Sequence, residues 1–126
     1  EAFKNNTSVT SITIPDSVTS IGDFTFFSCT SLTNVTIGNS VTSIGHSAFY
    51  NCGFLSITIP DSVTSIGTYA FNACSSLTSI AIPDGVTSIG RDTFYECTSL
   101  TSVTLPKLLV GDYESFGLSA NQVQFK

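Results

Sequence analysis

The sequence predicts an α/β fold: a right-handed solenoid of stacked near-identical coils, with a parallel β-sheet of about five strands and short helical turns on the other side. Three columns of residues predict it. Ile14, Ile37, Ile59, Ile82 and Leu105 follow one another at steps of 23, 22, 23 and 23 residues. Gly22, Gly45, Gly67 and Gly90 keep steps of 23, 22 and 23, as do Phe26, Phe49, Phe71 and Phe94. A period of this length marks a unit that cannot bury its apolar face alone and must stack on its own copies.

Each unit opens with an apolar-x-x-apolar-x-apolar run: Val9/Ile12/Ile14, Leu32/Val35/Ile37, Phe54/Ile57/Ile59, Leu77/Ile80/Ile82 and Leu100/Val103/Leu105. The last three positions alternate, which is strand spacing. Pro15, Pro60, Pro83 and Pro106, with Gly38 in the remaining unit, end each strand, because proline removes a ladder donor and fixes the backbone. A turn follows, and Val18/Ile21, Val41/Ile44, Val63/Ile66 and Val86/Ile89 return a second apolar pair to the core. The glycine after each pair suits a tight or positive-φ bend. The remainder, such as Ala48-Phe49-Tyr50-Asn51-Cys52, sets Ala, Phe and Cys at helical spacing and predicts one short helical turn. The single 22-residue step is a deletion just after Cys52, which leaves Phe54 in the Leu position.

One coil by itself is not stable. Its few buried side chains, at roughly 1.5–3 kcal/mol each, face backbone ordering of about 1–2 kcal/mol for every residue. Parallel strands about 4.8 Å apart supply the missing hydrogen bonds and close a continuous core. Residues 1–126 therefore read as one solenoid domain that starts in mid-repeat. From Lys107 the pattern decays, Gly111 to Phe116 being one residue longer than Gly90 to Phe94. Residues 107–126 are expected to form a degenerate terminal repeat, and the chain to be a fragment of a longer protein.

Composition narrows the function. With 41% hydrophobic and only 10% charged residues the chain is too apolar for a disordered segment. A net charge of −5 with four Lys and Arg argues against nucleic acid and against an anionic membrane surface. No apolar run approaches the roughly 20 residues of a membrane span, so direct insertion is not expected. The residues from Glu1 onward have neither the charged head nor the apolar stretch of a targeting signal.

The recurring Cys-x-x-Leu-x-x-Val-x-Ile-Pro-x-x-Val-x-x-Ile-Gly-x-x-x-Phe resembles the leucine-rich repeat of BspA-like surface proteins, the Treponema type, from Ala2-Phe3 to about Phe116. The resemblance implies a leucine-rich-repeat solenoid used at the bacterial or protist cell surface for adhesion and matrix binding, hence an extracellular or cell-surface location. Phe54 for Leu and Gly38 for Pro depart from the pattern.

Catalytic, cofactor and metal sites are not expected. The sole histidine, His46, occupies a position that holds Asp23, Thr68 and Arg91 in other coils and is expected to be exposed. Cys29, Cys52, Cys74 and Cys97 lack the clustered spacing of a zinc site. At the coil spacing their Cβ atoms would be farther apart than a disulfide prefers, so a ladder of buried thiols is expected. Asp16, Asp61 and Asp84, with Asn39 between, offer one carboxylate per coil, a sparse cage for calcium that turn formation explains better.

The expected working surface is the strand face. Ser11/Thr13, Asn34/Thr36, Ser56/Thr58, Ser79/Ala81 and Ser102/Thr104 alternate with the core positions and should stand in two outward columns. A solvated β face of good strand propensity is the plainer reading of the same residues. Phe27, Tyr50, Asn72 and Tyr95, with Phe24 and Tyr69 nearby, form a second, mostly aromatic column, and Phe27, Tyr50 and Tyr95 are the candidates there. Exposed aromatics anchor partners because they bury large area with few rotors; packing under neighbouring coils competes with that reading. The expected activity is that of a non-enzymatic interaction or adhesion module that binds a protein, with glycan or matrix component as alternatives. A scaffolding subunit joined to neighbouring repeats or subunits at its coil ends is the second reading.

Overall fold

The computed structural model describes residues 2–125; Glu1 and Lys126, the ends of the expected domain, lie outside the described residues. The fold is a leucine-rich-repeat solenoid. Its coils one to five begin at Val9, Leu32, Phe54, Leu77 and Leu100. Coils one, two and four each carry two strands, and coil three one. The longer strands are β1 (Ser11–Ile14), β3 (Asn34–Ile37), β6 (Ser79–Ala81) and β8 (Ser102–Leu105), followed by β9 (Val123–Phe125). The shorter ones are β2 (Ser20–Ile21), β4 (Ser43–Ile44), β5 (Ser65–Ile66) and β7 (Ser88–Ile89).

All pairing is parallel and in register with the repeat. Ile14 lies beside Ile37, and Val103 beside both Ile80 and Val123. The Val-Thr-Ser-Ile segments form an unbroken second sheet, β2-β4-β5-β7, so the second apolar pair is part of a strand ladder and not merely of a turn. Between them Val18, Val63 and Val86 donate their amides to the carbonyls of Pro15, Pro60 and Pro83, closing the expected Pro-Asp turns.

The first sheet is broken. Coil three contributes only a bridge, Ser56 to Ser79, leaving β1-β3 on one side and β6-β8-β9 on the other. The cause lies in the 22-residue step, taken up below.

On the remaining side, the expected helical turns take the form of chained tight turns. In coil one the amides of Thr25, Phe27 and Cys29 close on the carbonyls of Gly22, Phe24 and Phe26. The amides of Phe24, Phe26 and Ser28 instead reach coil two, at His46, Ala48 and Tyr50. This alternation requires left-handed residues, at Phe24 and Ser28 and their equivalents Ser47 and Asn51, Tyr69 and Ala73, Asp92 and Glu96. The glycine column takes no positive φ. It is needed for close approach: a Cβ on Gly45 would lie 2.7 Å from the Asp23 amide nitrogen, and one on Gly67 2.7 Å from the His46 amide nitrogen.

The interior is a single column of apolar layers. Phe3, Phe26, Phe49, Phe71 and Phe94 stack with ring centroids 5.3–5.8 Å apart and planes within 12°. Stacking of identical rings adds about 0.5–1.5 kcal/mol per pair beyond the burial itself. At the far end a 3₁₀ helix, Lys107–Phe116, and a short one, Ala120–Gln122, lead into β9, placing Leu109, Phe116, Leu118 and Val123 over the last layer.

Candidate interaction surface

Strand pairing decides which side chains face water. In β1 and β3 the alternation sends Ile14 and Ile37 inward and leaves Ser11, Thr13, Asn34 and Thr36 exposed. The register sets Ser11 beside Asn34 and Thr13 beside Thr36. Ser79 continues the first column beside Ser102, and Ala81 the second beside Thr104. Ser56 and Thr58 are exposed on coil three, while Ser102 and Thr104 are half-buried beside β9. Every strand-face residue named from the sequence thus lies in one of two columns, and none of them is charged.

Flanking threonines hold the coils together. Thr42, Thr64 and Thr87 donate both their amides and their Oγ1 hydroxyls to Thr19, Thr42 and Thr64 carbonyls of the preceding coil, the hydroxyls at 3.1, 3.2 and 3.5 Å. Thr33, Thr78 and Thr101 do the same toward Thr10, Leu55 and Thr78. The hydroxyls of these flanking threonines are therefore structural.

The aromatic column divides. Phe27 and Tyr50 stack at 4.7 Å and are half-buried. Asn72 is buried, its Nδ2 donating to the Asp92 carbonyl at 3.0 Å. Tyr95, 52% exposed, stands apart. These residues lie on the turn side, so the structure does not bring them together with the strand-face columns. His46 is not simply exposed: it is half-buried and meets Phe24 and Tyr69 edge-on at 5.1 and 5.6 Å. Left-handed Phe24 and Tyr69 bring their rings into that row, a placement residue type alone does not reveal. Lys4 caps the row, its Nζ 5.2 Å from the Phe24 centroid, and Arg91 closes it with a hydrogen bond to the Tyr69 hydroxyl.

The four thiols are free and buried. Each donates to the carbonyl of the preceding coil's core phenylalanine: Cys29 to Phe3, Cys52 to Phe26, Cys74 to Phe49 and Cys97 to Phe71, at 3.1–3.2 Å. Burial pushes the Cys52 and Cys97 thiols up to about 12 and holds Cys74 well above the ordinary range. The ladder is therefore also a hydrogen-bond device, which composition and spacing alone did not show. Asn6, in the same column, accepts instead from the Ser8 and Val9 amides. Asp16 accepts from the Asn39 amide of the next coil. Among the described residues no group of three or more His, Cys, Asp or Glu converges on a metal-sized site.

The profile of the BspA-type leucine-rich repeat region matches residues 1–119 in six copies. A leucine-rich repeat protein of T. pallidum is 35% identical over 83% of this chain and 50% of its own, with a TM-score of 0.82. One from Bacteroides ovatus is 28% identical over 95% of this chain and 30% of its own, at a TM-score of 0.79. A leucine-rich cell surface protein of Faecalibacterium prausnitzii is 26% identical over 83% and 45%, at 0.61. The chain thus spans half or less of these proteins' lengths. No curated protein matches it.

Proposed function

Because the chain belongs to the BspA-type leucine-rich repeat family, we propose that it is a non-enzymatic interaction module of a surface or secreted protein, binding macromolecular partners through its strand face. The observation that carries this reading is the pair of uncharged, outward columns held in register on parallel strands. A rigid array of hydroxyl and amide groups at coil spacing presents many weak contacts at once with little entropy left to lose. A surface location is favoured by the likeness to the F. prausnitzii cell surface protein.

Binding of the intact chain to immobilised extracellular-matrix proteins, measured by surface plasmon resonance, tests the reading. Changing Thr13, Thr36, Thr58 and Thr104 to Lys should abolish capture while the circular dichroism melt stays unchanged. Equal capture by the four-lysine chain removes the strand face from consideration.

A further inference from the structure

The irregular step in the repeat lands on the strand face. Coil two ends one residue short, and Gly53 makes the tight link: its amide donates to the Leu32 carbonyl at 3.1 Å, and a Cβ there would stand 2.5 Å from the Thr30 carbonyl oxygen. Leu55 then arrives where Thr10, Thr33, Thr78 and Thr101 stand in the other coils. It has no hydroxyl to give to the preceding coil. Among the described residues no backbone hydrogen bond joins β3 to residues 56–59. Coils two and three stay joined elsewhere, through β4 and β5 and through the Phe49–Phe71 stack at 5.5 Å. The gap is therefore a notch confined to the strand face, occupied by adjoining cavities of about 340 and 210 Å³.

We propose that this notch binds a neutral saccharide. The inference rests on the strand face being the working surface and names what that face recognises. The polar lining comprises Thr33, Asn34, Ser56 and Thr58, all uncharged, beside the unpaired edge of β3. Hydroxyl and amide groups both donate and accept, which matches sugar hydroxyls, and a charged ligand would find no counter-charge. Leu55, 64% exposed, and half-buried Val35 provide an apolar patch for the C–H face of a pyranose ring. The larger cavity falls at the lower end of the roughly 300–1,000 Å³ of small-ligand sites. An extended peptide is disfavoured: it would need a strand's width of about 4.8 Å between coils that remain bonded behind it. In a stack of near-identical rungs this notch breaks the symmetry, and so gives a repetitive face one site unlike the rest.

The test is titration of the ¹⁵N-labelled chain with lactose, maltotriose, mannotriose, triacetylchitotriose and the acidic sialyllactose, beside the extended peptide acetyl-(Thr-Val)₃-amide. A neutral saccharide should shift the amide signals of residues 33–36 and 55–58 saturably. Sialyllactose should bind no tighter than lactose. Inserting Thr between Cys52 and Gly53 restores the 23-residue step and should weaken binding by roughly tenfold or more, about 1.4 kcal/mol; Leu55→Asp should do likewise should the insertion fail to fold. Leu108→Ala, at an 86% exposed side chain in the 3₁₀ helix beyond coil five, should leave binding unchanged. Unmoved signals at about 20 mM of every neutral saccharide, a dissociation constant too weak to matter, would overturn the proposal. So would shifts spread equally over β1, β6 and β8, or binding of the peptide alone. If the four-lysine chain loses its matrix partner while the saccharides leave the notch unmoved, the saccharide reading falls and the strand-face reading stands.

Discussion

Gly67 lies against Gly45 so closely that a Cβ added to it would sit 2.7 Å from the Gly45 carbonyl carbon. Each glycine of this column is thus the floor for the next, and the coils approach to ladder distance because none carries a side chain there. Gly67→Ala should cost about 1–3 kcal/mol through backbone displacement, read from the urea midpoint at unchanged slope. Gly111, with nothing within 4 Å of an added Cβ, should accept Ala within about 0.5 kcal/mol. Equal effects would mean that coil contact is not what requires the glycine.

The buried thiols make stability fall in alkali. Cys52 and Cys97 keep their protons when folded up to about 12, against an ordinary 9.0 when unfolded. The folded-state value is raised, so the contribution is complete below pH 9 and is lost as pH rises toward 12. Each such thiol should remove about 1.4 kcal/mol per pH unit across that window. Urea melts at pH 8, 9.5 and 10.5 measure the slope, and a Cys52→Ala/Cys97→Ala chain should show a smaller one.

Phe49 is fully buried and stacked between Phe26 at 5.3 Å and Phe71 at 5.5 Å. Phe49→Ala should cost about 3–5 kcal/mol, the range for a buried phenylalanine. Tyr95→Ala, at a half-exposed ring, should cost far less. Thermal denaturation of the two variants side by side decides; a comparable loss for both would argue against the ring column as the main support.

The break in the first sheet predicts uneven hydrogen exchange. Among the described residues, 56–59 have no ladder bonds to β3, and the Ile59 amide makes no backbone bond to coil four, whereas the matching amide of Ile82 donates to the Thr104 carbonyl of coil five at 2.9 Å. Amides 57–59 should exchange measurably faster than amides 80–82, in the manner of locally open structure. Restoring the missing residue after Cys52 should bring the two segments together, and equal protection in the unaltered chain would show that the notch is closed in solution.

Much of this was legible in the residues themselves. The isoleucine, glycine and phenylalanine columns announced the stacking, and the alternation in Ser11–Ile14 already separated inward from outward side chains, because a strand has a period of two whatever its neighbours do. The notch was only half legible. The 22-residue step and the Leu55 substitution in a threonine column were visible, but whether a shorter coil would strain, bulge or drop its pairing depends on the coils above and below it. Most of the left-handed residues were hidden, since Phe24, Tyr69 and Glu96 are types that ordinarily avoid that region.

The sequence by itself determined the repeat, the stack and the identity of the core, because a period shared by Ile, Gly and Phe admits one arrangement in which every unit buries the same face. Only the tertiary structure decided where cysteine and threonine send their protons, that the glycines serve contact and not a bend, and that one rung of the sheet stands open. Those outcomes depend on distances between residues some 22 to 26 positions apart, and such distances exist only once one coil has settled on another.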